Sequence, residues 1–136
     1  MTAEEAVRSI MTRFHAVWTP KSYKFEDVPN SAALQTVIDS ESAPWARVQI
    51  KHNTADQRTL GGPDTRRFEY MGIVLIEIYT PSGGGMVQAR ALAEAVKNAY
   101  EGISEANSVW YRNVRFNEQP PSGHWSHVNV IAEYQY

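Results

Sequence analysis

Apolar and polar positions alternate along this chain in two distinct periods, and the change from one to the other marks its elements. Val7, Ile10, Met11, Phe14, Val17 and Trp18 recur at helical spacing, with Glu4, Arg8, Thr12 and His15 on the other side. Thr2, Ala3, Glu4 and Glu5 precede them with capping-box spacing, and Thr19-Pro20 follows, so a surface helix is predicted over residues 3–18. Residues 23–28 alternate and end at Pro29, the pattern of a short edge strand. Residues 30–44 fit either one or two helical turns or an irregular wrap. From Trp45 to His52 the alternation is clear: Trp45, Arg47, Gln49 and Lys51 share one face, and Ala46, Val48 and Ile50 the other.

The most apolar run, residues 71–79, is rich in β-branched and aromatic residues and is greasy on both faces. Val74, Ile76 and Ile78 point one way; Met71, Ile73, Leu75 and Tyr79 point the other. Such a strand belongs at the centre of a sheet, covered on each side by helix, sheet or a partner subunit. Thr80 to Gly85 stops it. A second helix then buries Ala89, Leu92, Ala93, Val96, Ala99 and Tyr100, with Gly102 at its end. Two closing strands, residues 109–116 and 124–136, flank a proline and glycine turn over residues 117–123. On the last, Val128, Val130, Ala132, Tyr134 and Tyr136 oppose His127, Asn129, Glu133 and Gln135, the polar side being interrupted only by Trp125 and Ile131. The pattern therefore predicts an α+β fold: an antiparallel or mixed sheet of about four to five strands with two amphipathic helices, in the order α-β-β-β-α-β-β.

At 136 residues the chain is most simply one domain, 1–136, able to bury roughly two-thirds of its unfolded surface. Charged residues make up 21% and apolar residues 43%, and the formal charge of -2 exerts no general pull on nucleic acid or membrane. There is no cysteine, which removes disulfides, thiolate nucleophiles and cysteine-ligated zinc. No apolar run approaches the roughly 20 residues of a spanning helix, and the N-terminus does not read as a secretory signal, so folding in a cytoplasm is expected.

Candidate chemistry is sparse. His124 and His127 are three apart on a strand and so point to opposite faces, with no third ligand placed beside them for a metal. His15 and His52 read as surface residues. Ser82 to Gly85 lies between strand and helix but lacks both Walker and dinucleotide spacing. Glu77, alone in the most apolar strand, is the one carboxylate of interest; it is expected to pair with Arg47, Arg112 or Arg115, or to face a partner. Arg66, Arg67, Arg112 and Arg115 lie near Trp110 and Tyr111, but Arg112 and Arg115 fall on opposite strand faces, which weakens a nucleic-acid surface. No catalytic, metal-binding or cofactor-binding residue is assigned. The stronger physical signal is surplus apolar surface, which fits oligomerisation better than catalysis.

Several stretches carry a family resemblance: Val28-Pro29-Asn30, Pro44-Trp45-Ala46-Arg47-Val48, Arg67-Phe68-Glu69-Tyr70-Met71-Gly72, Val74-Leu75-Ile76-Glu77-Ile78-Tyr79, and Thr80-Pro81-Ser82-Gly83-Gly84-Gly85 before the alanine-rich helix. With the amphipathic first helix and the aromatic-rich last strand, they resemble the tail terminator-like proteins of long-tailed bacteriophages. That resemblance implies a non-enzymatic structural protein of the virion tail, assembled from host cytoplasm without cofactor or membrane. It implies a ring, typically a hexamer, at the head-proximal end of the tail tube. The ring ends tube polymerisation and offers a surface for head joining, and its subunits can stay monomeric until they meet the tube or reach high concentration. Its partners would be copies of itself, the major tail tube protein and head-completion or connector proteins, with DNA passing the lumen as a further non-specific contact. Another neck protein, for head closure or tail completion, is the alternative; a small enzyme or ligand-binding domain is the remaining one. Combining surplus and resemblance, Ile73, Leu75, Glu77, Tyr79, Trp125, His127 and Ile131 become the candidate oligomer interface. Within the long polar stretch 53–65, Arg58, Thr59, Leu60, Gly61, Gly62, Pro63 and Asp64 become a candidate axial contact arm.

Overall fold

A computed structural model describes residues 2–26, 28–57, 68–83, 86–101 and 109–136. The elements run α1 (Ala3–Val17), β1 (Tyr23–Phe25), α2 (Ala32–Ser40), β2 (Trp45–Gln57), β3 (Phe68–Pro81), α3 (Val87–Tyr100), β4 (Trp110–Ser122) and β5 (Trp125–Gln135). All five strands form one mixed sheet in the order β1-β2-β3-β5-β4, with β3 at its centre and β1 parallel to β2. The α+β expectation holds, with one addition: the ambiguous stretch before β2 forms a helix.

Local chemistry accounts for the helix ends. Thr2 and Glu5 close a reciprocal capping box on α1, and the Trp18 N–H returns to the Phe14 carbonyl at 2.9 Å. In α2, Ser31 caps by accepting from the Leu34 N–H at 3.2 Å. Burial on α1 centres on Ala6, Ile10, Phe14 and Trp18, so Val7 and Met11 sit at the margin of the stripe rather than in its middle. On α3, Ala89, Ala93, Val96 and Tyr100 are buried against the sheet. The Tyr100 hydroxyl donates to the Ile10 carbonyl at 3.0 Å, tying α3 to α1, and burial pushes its ionisation well above the ordinary tyrosine range.

The core lies between these two helices and one face of the sheet. That face supplies Ala46 and Val48 from β2, Val74, Ile76 and Ile78 from β3, and Val128, Val130, Ala132 and Tyr134 from β5. β5 alternates buried and half-buried residues without a break, the imprint of a strand covered on one side only.

Three strands exceed their expected lengths. β2 and β3 pair as far as Gln57 and Phe68, past a bulge between His52 and Thr54, so residues 53–57 of the long polar stretch belong to the sheet. β4 runs through residues 117–122, prolines included, and the turn shrinks to Gly123-His124, with Gly123 at φ +60. Proline is tolerated there because β4 is an edge strand with a register shift between Gln119 and Ser122. The first edge strand is conversely shorter than the alternation over residues 23–28 suggests.

The crossovers fix where α2 lies. β1 to β2 and β3 to β4 are parallel connections that advance in the same direction across the sheet but start from antiparallel strands. Right-handed crossings therefore put α2 and α3 on opposite faces. Consistently, Leu34 of α2 is only 3% exposed yet is absent from the cluster that α1 and α3 cover.

Candidate assembly face of the sheet

Strand alternation sends every second residue of β2, β3 and β5 away from the α1/α3 core, and register aligns them in rows. Trp45, Tyr79 and His127 form one row; Arg47, Glu77 and Asn129 the next; then Gln49, Leu75 and Ile131; then Lys51, Ile73 and Glu133. Trp125 sits at the end, opposite Pro81. All seven residues of the expected interface thus share one surface. Ile73 is 37% exposed, while Leu75, Tyr79, Trp125, His127 and Ile131 are half-buried. Glu77, at 9%, is the exception and lies almost out of reach.

The first row is a cross-strand aromatic stack. Trp45 and Tyr79 lie with ring centroids 4.4 Å apart, as do Tyr79 and His127, and Trp125 meets Trp45 edge-on at 6.2 Å. Alternation alone put Trp45 on a basic, solvated side of its strand; the register that brings it over Tyr79 is what the sequence reading missed. In the second row the Arg47 Nε donates to the Glu77 carboxylate, and Gln49 donates to the same oxygen at 3.4 Å. Of the three arginines considered for Glu77, Arg47 is the partner. Hydrogen bonding to Glu77 raises the Arg47 pKa further above its already high value. Burial raises Tyr79, with the Glu77 charge adding to it. His127 shifts down, chiefly by burial, against opposing pulls from the Glu77 charge and a hydrogen bond with Asn129, with the Arg47 charge adding least to the fall.

The structure overturns one placement. Asn113, at φ +50, forms a bulge, so that Arg112 faces Glu133 and Arg115 faces Ile131. Both arginines therefore lie on this same face, not on opposite ones, because the extra residue restores their phase. Arg115 is 3.7 Å from Glu133, to which Asn113 also donates, and Arg112 reaches the Met71 sulfur at 3.1 Å.

The other histidines are accounted for elsewhere. His15 meets the Tyr23 hydroxyl at 2.5 Å, and His52 that of Tyr136 at 3.1 Å. Among the described residues no group of three histidines or carboxylates has metal-binding proximity. Between α1 and α3 there is an open depression bordered by Glu5, Arg8, Ser9, Thr12 and Ala99. The expected axial arm, Arg58 to Asp64, lies outside the described residues.

A family profile described as phage tail terminator protein matches residues 22–124, more than half of the chain. The chain belongs to the phage tail terminator family. No curated protein matches it. Among solved structures, a protein without a descriptive name aligns over 99% of this chain and 95% of its own, at 15% identity and a TM-score of 0.68. A chain from the virion of a native gene transfer agent particle aligns over 98% of this terminator-family chain and 95% of its own, at 10% identity and a TM-score of 0.54. At such identities these likenesses are of fold. Family membership makes the protein a structural component of a phage tail, working against other virion components.

Proposed function

We propose that this protein, one domain over residues 1–136, forms a ring that caps the head-proximal end of the tail tube. The ring ends tube polymerisation and presents the surface on which the head is joined, after assembly in the host cytoplasm. The supporting observation is the sheet face opposite the core, where Ile73, Leu75, Ile131 and the aromatic row are left incompletely covered. Family membership supplies the context.

A face suits this role better than an edge. The long edge strand β4 carries a bulge at Asn113, Pro120-Pro121 and several charges, each of which discourages strand addition. In a ring of more than two members the face must meet a different patch on the next subunit, because self-pairing about a two-fold closes at a dimer. We assign the arm from Arg58 to Asp64 to axial contact with tube or head proteins.

The test is sedimentation of the purified protein over a concentration series, alone and with tail tubes of the same phage. A ring species, or a stoichiometric cap on tube ends that halts their growth, is the expected outcome. A protein that stays monomeric in both settings and leaves tube length unchanged refutes the reading. Deletion of residues 59–64 should leave ring formation intact and abolish tail completion.

A further inference from the structure

The helix α2 differs from the other two in how little holds it. Its polar groups are satisfied inside its own segment: Asn30 donates to Gln35, Gln35 to Asp39, Thr36 to the Ala32 carbonyl and Ser40 to the Thr36 carbonyl. Leu34 is its one buried side chain. Glu41, which ends the helix, sits in the left-handed region at φ +51, an unfavourable conformation for a side chain with a Cβ. The described link from this end to the rest of the fold is Glu41 to His124, 4.0 Å apart and an ion pair only when the histidine is charged. A nine-residue helix has little stability of its own.

The sheet face on α2's side is correspondingly imperfect. Among the described residues, Trp45 Nε1 is buried there without a hydrogen-bond partner. Buried polar atoms left unpaired weaken the closed arrangement relative to one in which water or another chain reaches them. The Glu41–His124 contact places the end of α2 beside the turn that leads into Trp125 and the aromatic row.

We propose that α2 is a detachable cover: it shields the Trp45–Tyr79–His127 row in the free subunit and swings away when a neighbouring copy docks on that face. This rests on the ring reading given above. The cover keeps the stickiest part of the face from associating prematurely, and a docking copy gains the aromatic row as its reward for displacing few contacts. Local units held by few buried contacts open far more readily than the global fold.

The chain has no cysteine, so a tether can be placed cleanly. In the full-length Glu41→Cys, His124→Cys double variant, a short bis-thiosulfonate linker joins α2 to the β4–β5 turn, and a reductant removes it. The bridged protein should sediment as monomer under conditions where the wild type forms rings, and should recover ring formation once reduced. Bridged protein that assembles like the wild type overturns the cover. Hydrogen exchange on the untethered wild type is the second reading: α2 amides should exchange at least about tenfold faster than those of α3. Equal protection of the two helices overturns the proposal. Should the wild type never assemble, the ring reading falls, and the exchange rates alone decide whether α2 is a loose cover.

Discussion

Single residues decide how closely the strands approach. At Gly72 a Cβ would overlap the Lys51 carbonyl oxygen and come within 2.6 Å of the Tyr134 ring, whose hydroxyl donates to that same carbonyl at 3.3 Å. Glycine here makes room for an aromatic ring lying across the strand. Gly72→Ala should therefore cost about 1–3 kcal/mol, the usual penalty of overpacking, rather than gain from reduced chain entropy. Urea unfolding measures it, and an unchanged or raised midpoint would contradict the packing. His127 gives a pH dependence. Its folded pKa lies below the ordinary value of about 6.5, so the unfolded chain binds more protons in the interval between the two. Stability from the neutral imidazole is present above about 6.5 and is lost as pH falls toward the folded pKa. Thermal melts of the monomer between about pH 5 and 7.5 should show a shallower acid decline in His127→Gln than in the wild type. Parallel curves would remove His127 from the account.

At the level of elements, what could be read from the sequence followed from periodicity. The stripes of α1 and α3 and the alternation of β2 and β5 each reflect a surface buried on one side, the doubly apolar run of β3 marks the centre of the sheet, and all five elements stand where the pattern puts them. Even the seven candidate interface residues needed only the phase of β3 and β5 to be placed on one face. What escaped was decided by partners rather than by pattern. Residues 117–122 look like a turn because of Pro120-Pro121, but pairing with β5 holds them in a strand whose outer side needs no donor. Asn113 looks like any strand residue, and its left-handed backbone reverses the phase of everything after it, which moves Arg115 to the face of Arg112. α2 carries only a short stripe, Leu34 with the half-buried Val37 and Ile38, mixed with β-branched residues, which is too brief to separate a helix from an irregular wrap. The stacking of Trp45 on Tyr79 depends on inter-strand register, which one strand's sequence does not contain.

For the whole molecule, the consequence of opposed crossovers is a sheet with unequal faces. Two helices seal one side, whereas on the other α2 spans only part, leaving Ile73 exposed and Leu75 and Ile131 half-covered. Neighbouring residues of β3 therefore answer to different demands: Ile76 to folding, Leu75 to association. Ile76→Asp places a carboxylate in a site with no exposure and should cost at least about 3 kcal/mol, a large fraction of the stability of an ordinary domain. Leu75→Asp leaves its carboxylate in partial contact with water beside Gln49, and its melting temperature should fall by only a few degrees, on the order of 1 kcal/mol. In sedimentation, however, Leu75→Asp should stay monomeric at concentrations where the wild type forms rings, because a buried unpaired charge at an interface is as costly as one in a core. A folded Leu75→Asp that still closes rings would move the subunit contact off this face and onto another part of the molecule. If both variants unfold alike, the two sides of β3 are equally part of the monomer's core, and the surplus apolar surface invoked for assembly does not exist.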